Sequence, residues 1–172
     1  MTTSTKTAND NIRIFRAGDA PALSESKSME MVNVTDVVEQ GITELYNAGV
    51  ENGQEVRTLF RGCGMSLTYA WFKKGYPLAL HKHNTDCLYY IIAGSIQLGH
   101  DTLGKGDGFF LAANTSYTYG IGDNGVEILE FRSAEEFTIE FMTQNPRYWS
   151  KLASRIAEAQ ADWDVARPPS EL

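Results

Sequence analysis

Residues 78–99 read LALHKHNTDCLYYIIAGSIQLG and place two histidines, one residue apart, before a long apolar run. Alternate side chains of a β-strand lie on one face, so His81 and His83 share a face if this segment is a strand. Two such imidazoles can contact one divalent ion, because imidazole binds Zn, Fe, Ni and Cu. A stable metal site usually needs three or four protein ligands, so the pair alone predicts half a site.

This stretch belongs to a series of strand-sized segments between residues 55 and 142. Eight runs rich in Val, Ile, Leu, Tyr and Phe recur along it, and turn sequences such as KKGYP, GKGDG and GDNG separate them. Short apolar runs at a spacing of roughly 8 to 12 residues are typical of all-β sandwiches and barrels. The pattern therefore predicts a β-barrel over residues 55–142.

The chain before the barrel has a different composition. Residues 1–10 (MTTSTKTAND) are polar and predict a flexible tail. We predict an N-terminal extension over residues 11–54, with an early strand at 11–17 because NIRIFRA alternates weakly. A short helix is also expected in the extension, where three apolar residues have helical spacing although Gly41 interrupts them: Val38, Ile42 and Leu45.

A helix is predicted after the barrel, over residues 143–166. Asn145 can cap it, and Pro146 suits its first turn. Four apolar residues lie on one face of this helix and are expected to pack against the barrel: Trp149, Leu152, Ile156 and Trp163. Residues 167–172, which include two prolines, predict a tail.

Composition narrows the classes of partner and the setting. A chain of 172 residues is expected to form one domain, and it has no apolar run of the roughly 18 residues that span a membrane. A net charge of −7 argues against nucleic acid or an anionic membrane as partner. Two cysteines, Cys63 and Cys87, cannot form a disulfide framework, and the N-terminus lacks a secretory signal, so a cytoplasmic setting is expected.

The opening stretch resembles the first motif of the cupins, which are small β-barrels also called RmlC-like jelly rolls. That motif is a glycine, five residues, His-x-His, three or four residues, a glutamate, six residues and a glycine. Here it reads Gly75-YPLAL-His81-K-His83-NTD-Cys87-LYYIIA-Gly94, with every fixed point in register except the glutamate. Cys87 holds the position of that glutamate.

The second cupin motif, a glycine, five residues, Pro-x-Gly, two residues and a histidine, is also degenerate here. It reads Gly106-DGFFL-Ala112-A-Asn114-TS-Tyr117, so Ala112, Asn114 and Tyr117 replace the proline, glycine and histidine. The resemblance covers roughly residues 55–132. It implies an all-β fold, the cupin double-stranded β-helix or jelly-roll barrel, here with an N-terminal extension and a C-terminal helix.

The resemblance also implies a metal centre, of which this chain keeps two of four ligands. Cupin metal sites typically use two histidines and a glutamate from the first motif and a histidine from the second. The candidate ligands here are His81, His83, Cys87 and Tyr117. By strand parity Cys87 is placed to act as a soft ligand, and Tyr117 can either bind as a phenolate or donate a hydrogen bond to a substrate. The metal would be Fe, Zn, Mn or Ni, and the alternative is a polar pocket without a metal. Cys87 can equally be a small buried hydrophobic residue that binds nothing.

Aromatic residues on the predicted strands indicate an apolar ligand pocket or an ordinary core. The candidate pocket residues are Tyr69, Trp71, Tyr89, Phe109 and Phe131. A small barrel with many aromatics and few interior charges suits a small apolar or aromatic organic molecule.

Two classes of function follow. The first is an enzyme, a metal-assisted lyase, isomerase or dioxygenase, with His81, His83 and Tyr117 as catalytic residues. The second is a cupin without metal that binds or senses a small molecule and does no chemistry. In either class a homodimer is expected, because many cupins pair or exchange N-terminal strands and residues 11–17 would allow it.

Overall fold

A computed structural model of the protein describes residues 12–172. Its strands form two sheets with a cavity between them. The larger sheet has the order β2 (Gln54–Gly62), β3 (Met65–Phe72), β8 (Gly120–Arg132), β5 (Cys87–Leu98) and β6 (Asp101–Gly104), with β7 (Gly108–Leu111) also paired to β5. The smaller sheet has the order β1 (Met29–Met31), β9 (Phe137–Phe141) and β4 (His81–His83). The predicted β-sheet architecture with a C-terminal helix is confirmed.

Side-chain alternation separates the inside of the barrel from its surface. On β5, Cys87, Tyr89 and Ile91 are buried, whereas Leu88 and Tyr90 between them are exposed. A strand turns successive side chains to opposite faces, so a period of two in the apolar pattern fixes which face is the core. Buried residues of β3, β5 and β8 form this core together with two tyrosines of the β7–β8 connection, Tyr117 and Tyr119.

Two helices, α2 (Asp36–Asn47) and α3 (Pro146–Asp164), form a second core outside the barrel. Each begins at a side-chain cap: Thr35 accepts a hydrogen bond from the Val38 amide, and Asn145 accepts one from the Arg147 amide. The residues buried between the helices and the barrel are Val38, Leu45, Val50, Ala79, Trp149, Leu152, Ile156 and Trp163.

Gly41 continues α2 and does not interrupt it. A Cβ atom built on Gly41 would overlap the indole ring of Trp149. The absence of a side chain therefore allows α2 and α3 to approach closely, and this packing explains a glycine that is unfavourable by helix propensity.

The segments at the two ends of the chain differ from their predictions. Residues 12–16 have no regular structure, so the early strand predicted at 11–17 is wrong where the structure describes it. The strand of the extension is β1, which pairs in parallel with β9 of the same chain. The short helix α1 (Leu23–Ser26) precedes β1. The tail predicted for 1–10 lies outside the described residues.

The C-terminal segment is ordered against the barrel. A 3-10 helix spans Pro169–Glu171, and the Ser170 amide donates a hydrogen bond to Glu127 on the outer face of β8. The tail predicted for residues 167–172 is corrected accordingly, because this backbone amide has an acceptor on the sheet.

Among the helices of residues 12–172, none has both the length and the apolar character needed to cross a membrane.

Replacing Gly41 by alanine is expected to destabilise the fold by about 1–3 kcal/mol, since the new methyl group must displace the Trp149 ring. For a chain of this size that corresponds to a fall in Tm of about 2–4 °C per kcal/mol. Gly104→Ala is the matched control, because open space surrounds the position of its Cβ atom. Thermal unfolding that shows equal effects of the two substitutions would contradict this account of the helix packing.

Candidate functional site

The two histidines of β4 lie on the inner face of the smaller sheet. His81 is 4% exposed and His83 is 8% exposed, and their ring centroids are 4.9 Å apart. Lys82 between them points outward and pairs with Glu140 on β9 at 3.1 Å. The sequence-predicted convergence of the two imidazoles inside the barrel is therefore present.

Backbone carbonyl groups hold both imidazoles through their Nδ1 atoms. Nδ1 of His81 lies 2.7 Å from the Ala79 carbonyl oxygen, and Nδ1 of His83 lies 2.8 Å from that of Thr138. A carbonyl only accepts, so each Nδ1 carries the hydrogen and each Nε2 keeps its lone pair. Among residues 12–172, neither Nε2 has a hydrogen-bond partner, so both are left to interact with a molecule in the cavity.

Burial keeps these imidazoles neutral. It lowers the pKa of His81, and it lowers the pKa of His83 to about 3, with the Arg132 guanidinium and then His81 adding to the effect at His83. A neutral imidazole with Nδ1 protonated is a hydrogen-bond acceptor at Nε2 and carries no charge. The pair is thus an acceptor site at neutral pH.

The opposite wall of the cavity carries an ion pair that sequence reasoning missed. Glu130 and Arg132 lie on the inner face of β8, and Arg132 Nη2 donates to Glu130 Oε2 at 2.7 Å. The guanidinium carbon lies 4.0 Å from the centroid of the Phe137 ring, a cation–π contact. Glu130 and Arg132 are two and four residues after the buried Ile128, so all three point to the same face of the strand. This alternation in the segment EILEFR is the sequence feature that predicts their inward position.

Tyr117 lies beside the histidines although it is distant in sequence. Its backbone amide and carbonyl pair with those of His81, and the two ring centroids are 4.4 Å apart. Its hydroxyl group is 2.6 Å from that of Tyr89. Burial raises the pKa of both phenols, so they stay protonated and act as hydrogen-bonding groups and not as phenolates.

The donors present do not fit a resident transition metal. Among residues 12–172, no group of three or more His, Cys, Asp or Glu side chains is placed to hold one ion. Burial raises the pKa of the Cys87 thiol to about 12, so without a metal ion this side chain is a neutral thiol. The buried Arg132 charge near His83 also opposes a second cation. Of the predicted set of four ligands, the structure brings His81, His83 and Tyr117 together, while Cys87 does not join the two histidines in a three-residue group.

A cavity of about 220 Å³ connects these residues with the N-terminal extension. Its polar end is formed by His81, His83, Tyr117, Glu130 and Arg132. Its remaining walls are mostly apolar and include Met29 and Met31 of β1 and Leu45 and Tyr46 of α2. The extension thus supplies part of the site, which the sequence did not indicate.

The predicted aromatic pocket residues divide between the two faces of the larger sheet. Tyr89 and Phe109 are on the inner face, stacked at a centroid distance of 4.4 Å. Tyr69, Trp71 and Phe131 are on the outer face, so their predicted place in the pocket is wrong. Tyr69 donates to Glu127 there, and Phe131 is 43% exposed. The reason is parity, since the inner residues of β3 are Ser66, Thr68, Ala70 and Phe72.

Comparison with known proteins finds a likeness in fold. No family model and no curated protein matches the chain. An RmlC-like cupin from Shewanella frigidimarina matches at 19% identity over 47% of this chain and 76% of that chain, with a TM-score of 0.43. KdgF from Halomonas sp. matches at 18% identity over 47% of this chain and 79% of that chain, with a TM-score of 0.42. The polyketide cyclase RemF from Streptomyces resistomycificus matches at 15% identity over 60% of this chain and 84% of that chain, with a TM-score of 0.46.

The first of these solved structures is described as an RmlC-like cupin, in line with the fold that the two motifs predict, and none of the three exceeds 19% identity or a TM-score of 0.46. A shared fold does not carry an activity from one protein to another. The function of this chain therefore has to be argued from its own site.

Acidification is expected to destabilise the protein through its buried histidines. Because the pKa of His83 is about 3 in the folded chain and about 6.5 when unfolded, the unfolded chain binds more protons between these values. The free energy of unfolding therefore falls as pH falls through this window, by about 1.4 kcal/mol per pH unit for each such histidine. Urea unfolding between pH 4.5 and 7 should show a shallower pH dependence for His83→Gln than for the wild type. The outward Lys82→Gln is the control, and equal slopes for all three proteins would contradict the burial of a neutral imidazole.

Proposed function

We propose that this cupin-fold protein binds a small, largely apolar or aromatic organic molecule inside its barrel, with the polar end of that molecule against His81 and His83. One observation carries the proposal. Two buried imidazoles are held by carbonyl groups through Nδ1, and their Nε2 atoms have no protein partner among residues 12–172 while both rings line a cavity. Among residues 12–172 neither Nε2 is one of the fully enclosed side-chain atoms without a partner, so both keep accessible surface that a hydrogen-bond donor of a ligand can reach.

The size and lining of the cavity support a small ligand. At about 220 Å³ it is smaller than the roughly 300–1,000 Å³ of pockets for drug-sized molecules. Its apolar walls favour a hydrocarbon or aromatic body, and its polar end favours a hydroxyl group that donates to an Nε2 atom. A compound with one aromatic ring and a short hydroxylated side chain has this combination.

A second candidate is catalysis of proton transfer at the same place, as in an isomerase or a lyase that needs no oxidant. The observation that favours it is the contact of His81 with Tyr117, whose hydroxyl group bonds to that of Tyr89. An imidazole Nε2 can take a proton, and a phenol beside it can return one. The metal-assisted lyase, isomerase or dioxygenase predicted from the sequence has weaker support, because only two of its four ligands are present.

Loss of either imidazole is expected to weaken ligand binding. Each neutral hydrogen bond contributes about 1 kcal/mol, so His81→Ala and His83→Ala should each raise Kd for a ligand of this class by about fivefold or more. Saturation-transfer NMR with benzyl alcohol and related one-ring alcohols measures the binding. Lys82→Ala is the matched control, since Lys82 lies between the two histidines and points outward. Unchanged Kd values in both histidine variants would contradict the proposed site.

Metal analysis of the protein purified without a histidine tag is expected to show much less than one equivalent of transition metal per chain. The reason is the lack of a third ligand and the nearby charge of Arg132. A stoichiometric metal that is lost in His81→Ala would overturn the metal-free site in favour of the metal-assisted enzyme.

The homodimer and the cytoplasmic setting stay predictions. Dimerisation by pairing of a strand at residues 11–17 is no longer supported, because residues 12–16 form no strand and β1 pairs with β9 of the same chain. A different feature supports a dimer: four large apolar side chains are exposed on neighbouring strands of the outer face of the larger sheet, namely Leu88, Tyr90, Phe110 and Phe131. Sedimentation at micromolar concentration, which separates a species of 19.1 kDa from one of twice that mass, tests it.

A further inference from the structure

The guanidinium of Arg132 has buried donors without an acceptor among residues 12–172. Arg132 is 1% exposed, and Nη2 donates to Glu130 at 2.7 Å. Among residues 12–172, Nε and Nη1 are buried without a hydrogen-bond partner. An arginine carries five N–H donors, so the one on Nε and the two on Nη1 are left over. Unpaired buried donors are unfavourable and rare, and here they call for an acceptor.

The residue that carries these donors borders the polar end of the cavity. Arg132 lines the cavity together with both histidines. The Phe137 ring connects the two sides, since its centroid is 4.0 Å from the guanidinium carbon and 5.4 Å from the centroid of the His83 ring. A ligand group that reaches Arg132 is therefore close to His83.

The charge of Arg132 is only partly balanced. Its contact with Glu130 joins one nitrogen to one oxygen and leaves the rest of the guanidinium unpaired. At His83 the guanidinium lowers the pKa and no carboxylate raises it, whereas at His81 the raising effect of Glu130 exceeds the lowering effect of Arg132. The other titratable groups of the interior are neutral: two histidines, Cys87, and the phenols of Tyr89, Tyr117 and Tyr119. A buried cation with free donors favours a carboxylate, because planar carboxylates form strong, charge-assisted hydrogen bonds with guanidinium.

We propose that the ligand of this cavity is a small organic acid whose carboxylate binds Arg132 and whose hydroxyl group donates to His81 or His83, which is the chemistry of an aromatic hydroxy acid. The proposal rests on the proposed function, because it assigns the chemical class of the molecule bound at the same site. The new elements are the negative charge of the ligand and Arg132 as the residue that recognises this charge. The acceptors at Nε2 and the donors at Arg132 together match a group with both a hydroxyl and an anionic oxygen.

The first experiment uses the wild-type protein and a matched pair of probes, mandelate and methyl mandelate. The two share the aromatic ring and the hydroxyl group and differ in the negative charge. Titration calorimetry at neutral pH should give a Kd for mandelate that is about tenfold or more lower than that for the ester, as expected for a charge-assisted hydrogen bond. Because this comparison uses only the wild-type protein, a folding defect cannot explain its result.

Variants assign the preference to Arg132. Arg132→Gln combined with Glu130→Gln removes both buried charges together, and it should abolish the preference for the acid while binding of the ester continues. Arg132→Lys keeps the charge with fewer donors and should retain part of the preference. Arg155→Gln, an exposed arginine of α3, is the matched control and should leave both Kd values unchanged. Thermal unfolding of each variant verifies that it is folded.

The outcomes separate the two proposals. If ester and acid bind wild-type protein equally well, buried water satisfies Arg132, and the carboxylate proposal is overturned while the proposed function stands. The same conclusion follows if the acid is preferred but the preference survives in the double variant. If mandelate, its ester and benzyl alcohol all fail to bind, both the carboxylate proposal and the binding function proposed above are overturned.

Discussion

The ion pair between Arg132 and Glu130 lies inside a barrel whose other buried side chains are apolar or neutral, and the chemistry of the interior follows from it. Arg132 is 1% exposed, and its positive charge is tolerated in the interior because the Glu130 carboxylate and the Phe137 ring stabilise it. The positive potential of Arg132 adds to burial in lowering the pKa of His83, whereas burial lowers the pKa of His81 against the opposing effect of Glu130. The phenols and the thiol stay protonated because they are buried. The result is a cavity end with one charged donor and several neutral partners, which is suited to recognising a polar group on an apolar molecule.

The helices outside the barrel help to place the histidines. Ala79 belongs to the core that α2 and α3 form, and its carbonyl oxygen holds Nδ1 of His81. Leu45 of α2 belongs to the same core and also lines the cavity. The residues that pack the N-terminal extension against α3 therefore also form part of the cavity wall. This connection gives the extension a role in the site itself, beyond stabilising the fold.

Strand alternation explains both the successes and the errors of the sequence analysis. His81 and His83 were placed correctly because a residue and its second neighbour share a face in any strand. Tyr69, Trp71 and Phe131 were misplaced because aromatic residues occur on both faces of the larger sheet, and the composition of a strand does not say which face is inside. The inner face of β3 instead carries Ser66 and Thr68, and the inner face of β8 carries Glu130 and Arg132. Polar residues in these positions go against the usual pattern, which is why they were overlooked.

The sequence by itself determined the fold class, the shared inner face of the two histidines and the helix after the barrel, because these depend on local periodicity, capping and turn chemistry. It did not determine the ligand set. Cys87 follows the histidines at a suitable spacing, yet it does not join them around one ion, and its thiol is kept protonated by burial. Only the tertiary structure brought Arg132, Tyr117 and the extension to the same cavity, since their meeting depends on how two sheets close. It also decided the protonation of each group, because burial and neighbouring charge set a pKa and neither can be read from the order of residues.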